Sequence, residues 1–389
     1  MTTEDDDSPI APDRRPRVRR FARKVLLVGG LLHVYVGWQL LPDLPFGEAF
    51  QTAGGLLIGT SALLIPFGTL AHAFFRRARV IDTMVWAGGI ALGWFSTILV
   101  LTALRQITLV FVDDPAWAAS SALAVIVVSV LISMVGFLNA RRTARVVSVD
   151  VQLDDLPAAL DGLTIAQITD LHIGPTIKNG YIRRVVAKVN EIGADIVAIT
   201  GDVVDGKVRR LLHDVAPLGE LKARHGAFVV TGNHEYYSGA DEWIAAFRDM
   251  GLRPLLNEHV VIEHDGARLV LAGVNDFKAS AVDPSHTSDP VAALSGSPDD
   301  APKVLLAHQP RSAPAAHEAG FDLQLSGHTH GGQFWPWNHF VRMQQPFTAG
   351  LHRLGRLWVY TSRGTGYWGP PKRFGAPSEI TRIVLRAAV

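Results

Sequence analysis

The chain has 389 residues, more than one hydrophobic core usually holds, so two parts are expected. Its formal charge is +1, which leaves no basic excess for nucleic acid, and it contains no cysteine. Disulfides, thiolate nucleophiles and cysteine-ligated zinc or iron–sulfur sites are excluded, and any metal must rely on imidazole, amide and carboxylate ligands.

Residues 1–24 run from an acidic tip, TEDDDSP, into the basic stretch RRPRVRRFARK, and are expected to be a disordered basic tail. Four apolar runs follow, at 25–41, 53–75, 85–104 and 117–138. Each is close to the roughly 20 residues that carry a helix across the hydrocarbon core of a bilayer, which predicts a four-helix transmembrane domain over 25–139. No small-residue cleavage site follows the first run, only GWQLLPDLPF, and Arg19-Arg20 with the residues after it matches a twin-arginine export signal imperfectly. Cations crowd residues 14–24, 74–79 and 139–145, whereas PDLPFGEA and VDDPA fill the alternate loops. Basic loops belong inside, so the expectation is a multi-pass protein of the cell membrane with everything after the fourth helix in the cytoplasm. Gly55 with Gly59, and Gly89 with Gly93, have the spacing that lets membrane helices approach closely, although glycine is common in such helices anyway. His33, His72 and Asp82 make no chain of ionisable groups across the bilayer, which favours an anchor over a transporter.

From about residue 147 to 389 the pattern becomes α/β. LTIAQIT (163–169), DIVAIT (195–200), AFVVT (227–231), RLVLAGV (268–274), KVLLA (303–307), DLQLS (322–326), LWVYTS (357–362) and ITRIVL (380–385) read as strands, with helices expected at 181–192 and 241–250. Such near-continuous apolar strands imply sheets covered on both faces.

Five of these strands end in polar clusters: Asp170-Leu171-His172, Gly201-Asp202-Val203-Val204-Asp205, Gly232-Asn233-His234-Glu235, His308, and Gly327-His328-Thr329-His330. Ligands of open α/β sheets bind at the carboxyl ends of the strands. Asp170, His172, Asp202, Asn233, His308, His328 and His330 would converge there as oxygen and nitrogen ligands, too many for one tetrahedral ion and suited to two ions sharing a carboxylate. On extended backbone His328 and His330 would point the same way, one for each ion, with the flanking glycines letting the main chain come close. Singly, a lone histidine or a GDxxD turn is more often structural; five clusters in one order are hard to produce by packing alone.

DLH, GDVVD, GNHE, the isolated histidine of LLAHQP, and GHTH resemble the signature of the calcineurin-like metallophosphoesterases over about 163–385. GHTHGGQ followed by TSRGTGYWGPPKRFGAPSEITRIVL further resembles their membrane-associated bacterial branch. The resemblance implies a β-sandwich flanked by helices and two divalent ions (Mn, Fe, Zn or Mg), one on Asp170, His172, Asp202 and His330, the other on Asp202, Asn233, His308 and His328. It implies a catalytic His234 beside the leaving group, oriented by Asp205. Two such ions lower the pKa of a shared water and neutralise phosphate oxygens, so hydrolysis by in-line attack needs no covalent intermediate. Arg363, in SRG, is a candidate phosphate grip or an ion-paired surface residue, and Trp335, Trp337 and Trp368 could line a cleft or meet the headgroup level of a membrane.

The expectation is a membrane-anchored hydrolase of a phosphodiester or pyrophosphate carried by a membrane-borne substrate. Its partners would be that phosphoester, lipid-linked substrates included, and membrane lipids. The alternatives are a phosphomonoesterase or phosphoprotein phosphatase, and a non-catalytic metal-binding sensor, against which the retained His234 and Asp205 speak.

Overall fold

A computed structural model describes residues 15–388. It divides into two compact units, the first ending at Ser133 and the second beginning at Met134.

The first unit is helical: α1 (Arg15–Leu40), α2 (Glu48–Thr69), the single turn α3 (Ala71–Phe74), α4 (Ala78–Phe111) and most of α5 (Pro115–Arg141). The disordered tail expected over 1–24 lies outside the described residues as far as residue 14; beyond it the basic run is helical from Arg15, because Arg, Ala, Phe and Lys extend a helix nucleated by the apolar residues that follow. Among the described residues, α2, α4 and α5 are long and apolar enough to cross a membrane, three helices rather than the four expected. The first apolar run is reduced to Leu26–Leu40, ~23 Å at 1.5 Å per residue against a hydrocarbon core of ~30 Å. A close helix contact forms at a glycine pair that spacing did not single out: a Cβ on Gly68 of α2 would stand 2.7 Å from the Cα of Gly88 of α4, while Gly59 of the expected Gly55 and Gly59 pair faces open space. One buried cation escaped the sequence reading. Arg105 of α4 pairs with Asp43 and donates to Gln39 O at 2.8 Å, Ala118 O at 2.9 Å and Ser121 Oγ at 2.9 Å, tying the end of α1 to the start of α5.

The second unit is a sandwich of two six-stranded mixed sheets. Its strands are β1 (Arg145–Leu153), β2 (Thr164–Ile168), β3 (Ile196–Thr200), β4 (Ala227–Val230), β5 (Arg253–Pro254), β6 (Glu258–His264), β7 (Ala267–Gly273), β8 (Lys303–Leu306), β9 (Leu323–Ser326), β10 (Gly350–Leu354), β11 (Leu357–Thr361) and β12 (Glu379–Ala387). The sheets are ordered β1-β12-β2-β3-β4-β5 and β10-β11-β9-β8-β7-β6. β2 to β5 run parallel, as do β7, β8, β9 and β11, so the polar clusters at the ends of β2, β3 and β4 share one edge and those of β8 and β9 another.

Ile165, Ile196, Phe228, Leu271, Leu306, Leu325, Tyr360 and Ile383 fill the space between the sheets. Fully burying each such side chain contributes about 1.5–3 kcal/mol. The first sheet's outer face is covered by α6 (Asn179–Ile192), α7 (Val208–Val215) and α9 (Ala240–Asp249), while α8 (Asn233–Ser238) packs its Tyr236 with Ala240, Ile244 and Ala279; the short α10 (Pro290–Ala293) and α11 (Ala313–Ala319) lie on the second sheet. α6 shows why: Ile182, Val185, Val186 and Val189 recur at helical spacing on one face, and Gly193, at φ 62°, ends the helix in the left-handed conformation that glycine adopts without strain. Ala140 at the end of α5 and Ala144 beyond it are buried in the same cluster, so the last turns of α5 fold with the sandwich.

Candidate metal centre

At the sheet edge the backbone itself is unusual. Nine described non-glycine residues have positive φ, and five of them are Asp170 (54°), His172 (47°), Asp202 (50°), His328 (69°) and His330 (52°). Left-handed backbone is costly for residues with a Cβ and is kept where the surroundings over-determine it. The extended backbone expected across His328 and His330 is therefore not what forms. The chain curls into a tight turn there, and the two rings serve different groups: His328 joins Asp202 and His308, and His330 joins Asp170 and His172. A third group joins His172 and His234 through Asp205.

Asp202 is the hub. Its Oδ2 lies 3.1 Å from His308 Nε2, 3.8 Å from His172 Nε2 and 3.9 Å from His234 Nε2. Its Oδ1 accepts the His234 main-chain N–H at 2.9 Å, which fixes the carboxylate's orientation. Burial alone would raise the Asp202 pKa, but the charge and hydrogen bond of His308, then His234 and His172, hold it well below the ordinary carboxylate range. Glu235, also buried, accepts main-chain N–H bonds from Gly232, Asp202, Val203 and Val204 at 2.6–3.2 Å, clamping the GD turn to the GNHE turn. Burial, with Asp202 nearby, pushes Glu235 up to about 7 against those bonds.

The histidines are aimed by their far nitrogens. His308 Nδ1 is 2.8 Å from Thr200 O and His172 Nδ1 is 3.0 Å from Asp205 Oδ1, so in each a proton belongs on Nδ1 and Nε2 is turned inward, a metal ligand once it carries no proton of its own. Inward nitrogens face one another, His172 Nε2 and His330 Nε2 at 3.0 Å, His308 Nε2 and His328 Nδ1 at 3.2 Å. The buried Oδ1 of Asn233 has no hydrogen-bond partner. Converging lone pairs and an orphaned amide oxygen fit divalent cations, and nothing in the donor set is foreign to them.

His234 differs from the others. Its Nδ1 lies 2.6 Å from Asp205 Oδ1, and exposed aromatics flank its ring, Tyr237 at 5.5 Å and Trp368 at 5.7 Å between centroids. Burial lowers its pKa, yet the Asp205 hydrogen bond and the charges of Asp202, Asp205 and Glu235 raise it to about 9. Asp205, against the cost of burial, is held down to about 2 by His172 and His234.

Eight of the nine expected metal and catalytic residues thus meet in one place, and the ninth, Asn233, directly precedes His234 in the chain. Arg363 stands apart from them: its guanidinium pairs with buried Glu379 at 2.9 Å and its own N–H bonds the same carboxylate. The arginine that reaches the cluster is Arg373, fully buried, with Nη2 2.9 Å from His330 Nδ1. The sequence reading missed it and the role of Glu235; the only signal was that both lie inside the two motif stretches, GNHE and GPPKRFGAPSEI.

Residues 163–332 match the family described as calcineurin-like phosphoesterase. The chain is 39% identical over 271 residues to a transmembrane protein with metallophosphoesterase domain of Danio rerio, and 41% identical over 282 residues to that of Bos taurus. These alignments take in 68% and 70% of the chain but 62% and 63% of those proteins' own length. An uncharacterised metallophosphoesterase of Campylobacter jejuni is 34% identical over 267 residues, 68% of the chain and 69% of that protein. On the matched motifs, the sandwich that carries them and these relatives, the chain belongs to the calcineurin-like phosphoesterases, a family of metal-dependent phosphoester hydrolases.

Proposed function

We propose that the chain is a membrane-anchored phosphoester hydrolase that uses two divalent cations to cleave a phosphodiester or pyrophosphate of a membrane-borne substrate. One observation carries the reading: Asp202 Oδ2 stands between two histidine groups, as a carboxylate shared by two ions must. Asp170, His172, Asp202 and His330 would hold one cation, and Asp202, Asn233, His308 and His328 the other. When bound, such a pair supplies an activated water and neutralises phosphate oxygens.

The rest falls to the chain's own groups. Asp205 holds Nδ1 of His234, which leaves Nε2 to carry a proton toward a departing oxygen. Tyr237 and Trp368, 61% and 55% exposed on either side of that ring, offer apolar faces to whatever the oxygen is attached to. That favours a large, partly apolar leaving group over a small one. Lipid-linked substrates are consistent with the apolar helices of the first unit.

The test is turnover by the purified full chain, with Mn, Fe, Zn or Mg, of matched monoesters, diesters and nucleotide-sugar pyrophosphates. Diester or pyrophosphate kcat/KM should exceed that of the monoester at least tenfold. A monoester preference would establish the phosphatase alternative, and metal uptake without turnover of any of them would establish a sensor.

A further inference from the structure

Arg373 is a buried cation to which, among the described residues, no carboxylate is hydrogen-bonded. Its Nε donates to Gly366 O at 3.1 Å, Nη1 to His330 O and Arg363 O at 2.8 Å each, and Nη2 to Gly366 O and to His330 Nδ1 at 2.9 Å. Burying a charge without an ion pair is expensive, so every donor must be engaged, and here each is. Four of these bonds, to carbonyls, fasten the turn after β9 to the loop after β11, and the fifth holds the ring of His330 by its far nitrogen. The neighbouring backbone makes room for this: at Gly364, φ 82°, a Cβ would lie 3.1 Å from Arg373 Nη2 and 3.2 Å from His330 Nδ1.

The main chain of Arg373 is held in turn by α5. Its N–H donates to Gly136 O at 2.8 Å and its carbonyl accepts from Asn139 Nδ2 at 3.2 Å. Gly136 is required there, since a Cβ would meet Lys372 Cγ at 2.7 Å.

We propose that Arg373 is the positioning residue for the His330 ligand, and that the last turns of α5 are the mount on which it sits. Fully buried, Arg373 cannot touch substrate, so its action runs through His330, whose Nε2 it keeps turned toward His172 Nε2 and, at 3.4 Å, Asp170 Oδ1. Because the guanidinium only donates, Nδ1 accepts and the neutral ring's one proton sits on Nε2, from which a cation bound there would displace it to solvent, leaving a ring whose charge the guanidinium offsets. The inference rests on the two-cation reading above.

The test is manganese titration of the full chain in detergent, followed by the spin-coupled resonance spectrum of the metal pair, for wild type, Arg373→Gln, Arg373→Lys, His330→Ala and the double variant His330→Ala with Arg373→Gln. Removing a group that orients a ligand typically costs 10–100-fold in metal affinity, so Arg373→Gln should weaken one of two manganese sites by about that factor and uncouple the spectrum. Once His330 is gone, Arg373→Gln should cost that site nothing more, because coupled residues are not additive. Should the glutamine variant fail to fold, Arg373→Lys serves: a single ammonium cannot reach ring and carbonyls together, and a loss of about tenfold is expected. Wild-type affinity in a folded variant, or an undiminished loss in the His330→Ala background, overturns the proposal alone. A wild-type chain that takes up fewer than two manganese ions overturns the two-cation reading and the proposal with it.

Discussion

His234 and His308 are both imidazoles beside Asp202, and on the proposed reading they have opposite tasks. His308 gives Nδ1 to Thr200 O and brings Nε2 to 3.1 Å from Asp202, where a shared cation would stand; His234 is held at Nδ1 by a carboxylate, Asp205, which raises its pKa, and keeps its Nε2 3.9 Å from Asp202. His234→Ala should therefore keep the metals and lose rate, on the order of 10²–10⁴-fold for a general acid. The loss should be greatest with poor, basic leaving groups and shrink with activated aryl esters; equal losses on both, or loss of metal, would show a positioning or ligand role instead. The same pairing makes a prediction about pH. The folded pKa of His234, about 9, lies above the 6.5 of a free histidine, so its contribution to stability is complete below pH 6.5 and is lost as pH rises through about 9. The difference corresponds to roughly 3 kcal/mol at most. In chelator-treated protein the gap in melting midpoint between wild type and His234→Ala should close between pH 6 and pH 9.5; a gap that widens over that range would contradict the assignment.

At the level of elements, the strands that bear chemistry were legible in the sequence because each is a short, fully apolar run stopped by a polar cluster. β1, β5, β6 and β10 were not, since they are edge or hairpin strands with mixed burial. The turn after β9 was misjudged as extended, because the left-handed φ of His328 and His330 is imposed by long-range contacts such as the bonds from His328 N to both Asp170 oxygens at 3.0 Å. What spacing did show was the glycine: at Gly327 a Cβ would run into Asp170 Oδ2 and Thr169 Oγ1, so the residue before His328 must have none. Gly327→Ala should displace Asp170, cost about 1–3 kcal/mol by overpacking, and lower the metal content measured in the purified protein. The end of α5 was invisible for another reason, since its apolar periodicity is that of a membrane helix and nothing marks where it changes partners. A fragment beginning at Met134 retains Asn139, Ala140 and Arg141, whose side chains bond Arg373 O, Thr176 O and Tyr367 Oη or lie in the core. One beginning at residue 147 loses those three hydrogen bonds and the one from Arg373 N to Gly136 O, about 1 kcal/mol each, and should melt roughly 8–16 °C lower with weaker metal retention. Equal midpoints for the two fragments would show that α5 contributes nothing to the second unit.

For the whole molecule the proposed anchoring raises the question of which side of the membrane the second unit would face, and the shortened first apolar run bears little on it. Whether α1 crosses or lies short of crossing changes only where residues 1–24 are found. The second unit's side would be decided by α2, α4 and α5 and by the charges at their ends: Arg76 and Arg77 before α4 with Arg79 in its first turn, and Arg141, Arg142 and Arg145 at and after the end of α5, against Asp113 and Asp114 between α4 and α5. α4 and α5 form a hairpin whose two open ends are basic and whose closed end is acidic, and cytoplasmic loops carry the Lys and Arg excess. We predict that the second unit is cytoplasmic in either case. A reporter fused after Val389 that folds to an active form only when exported should be silent, and one that fluoresces only in the cytoplasm should be bright. Protease added to sealed inside-out vesicles should remove a tag placed before Met1 if four helices cross and spare it if three do. Export of the reporter at Val389 would reverse the orientation under both counts and would place the metal centre, with its substrate, outside the cytoplasm.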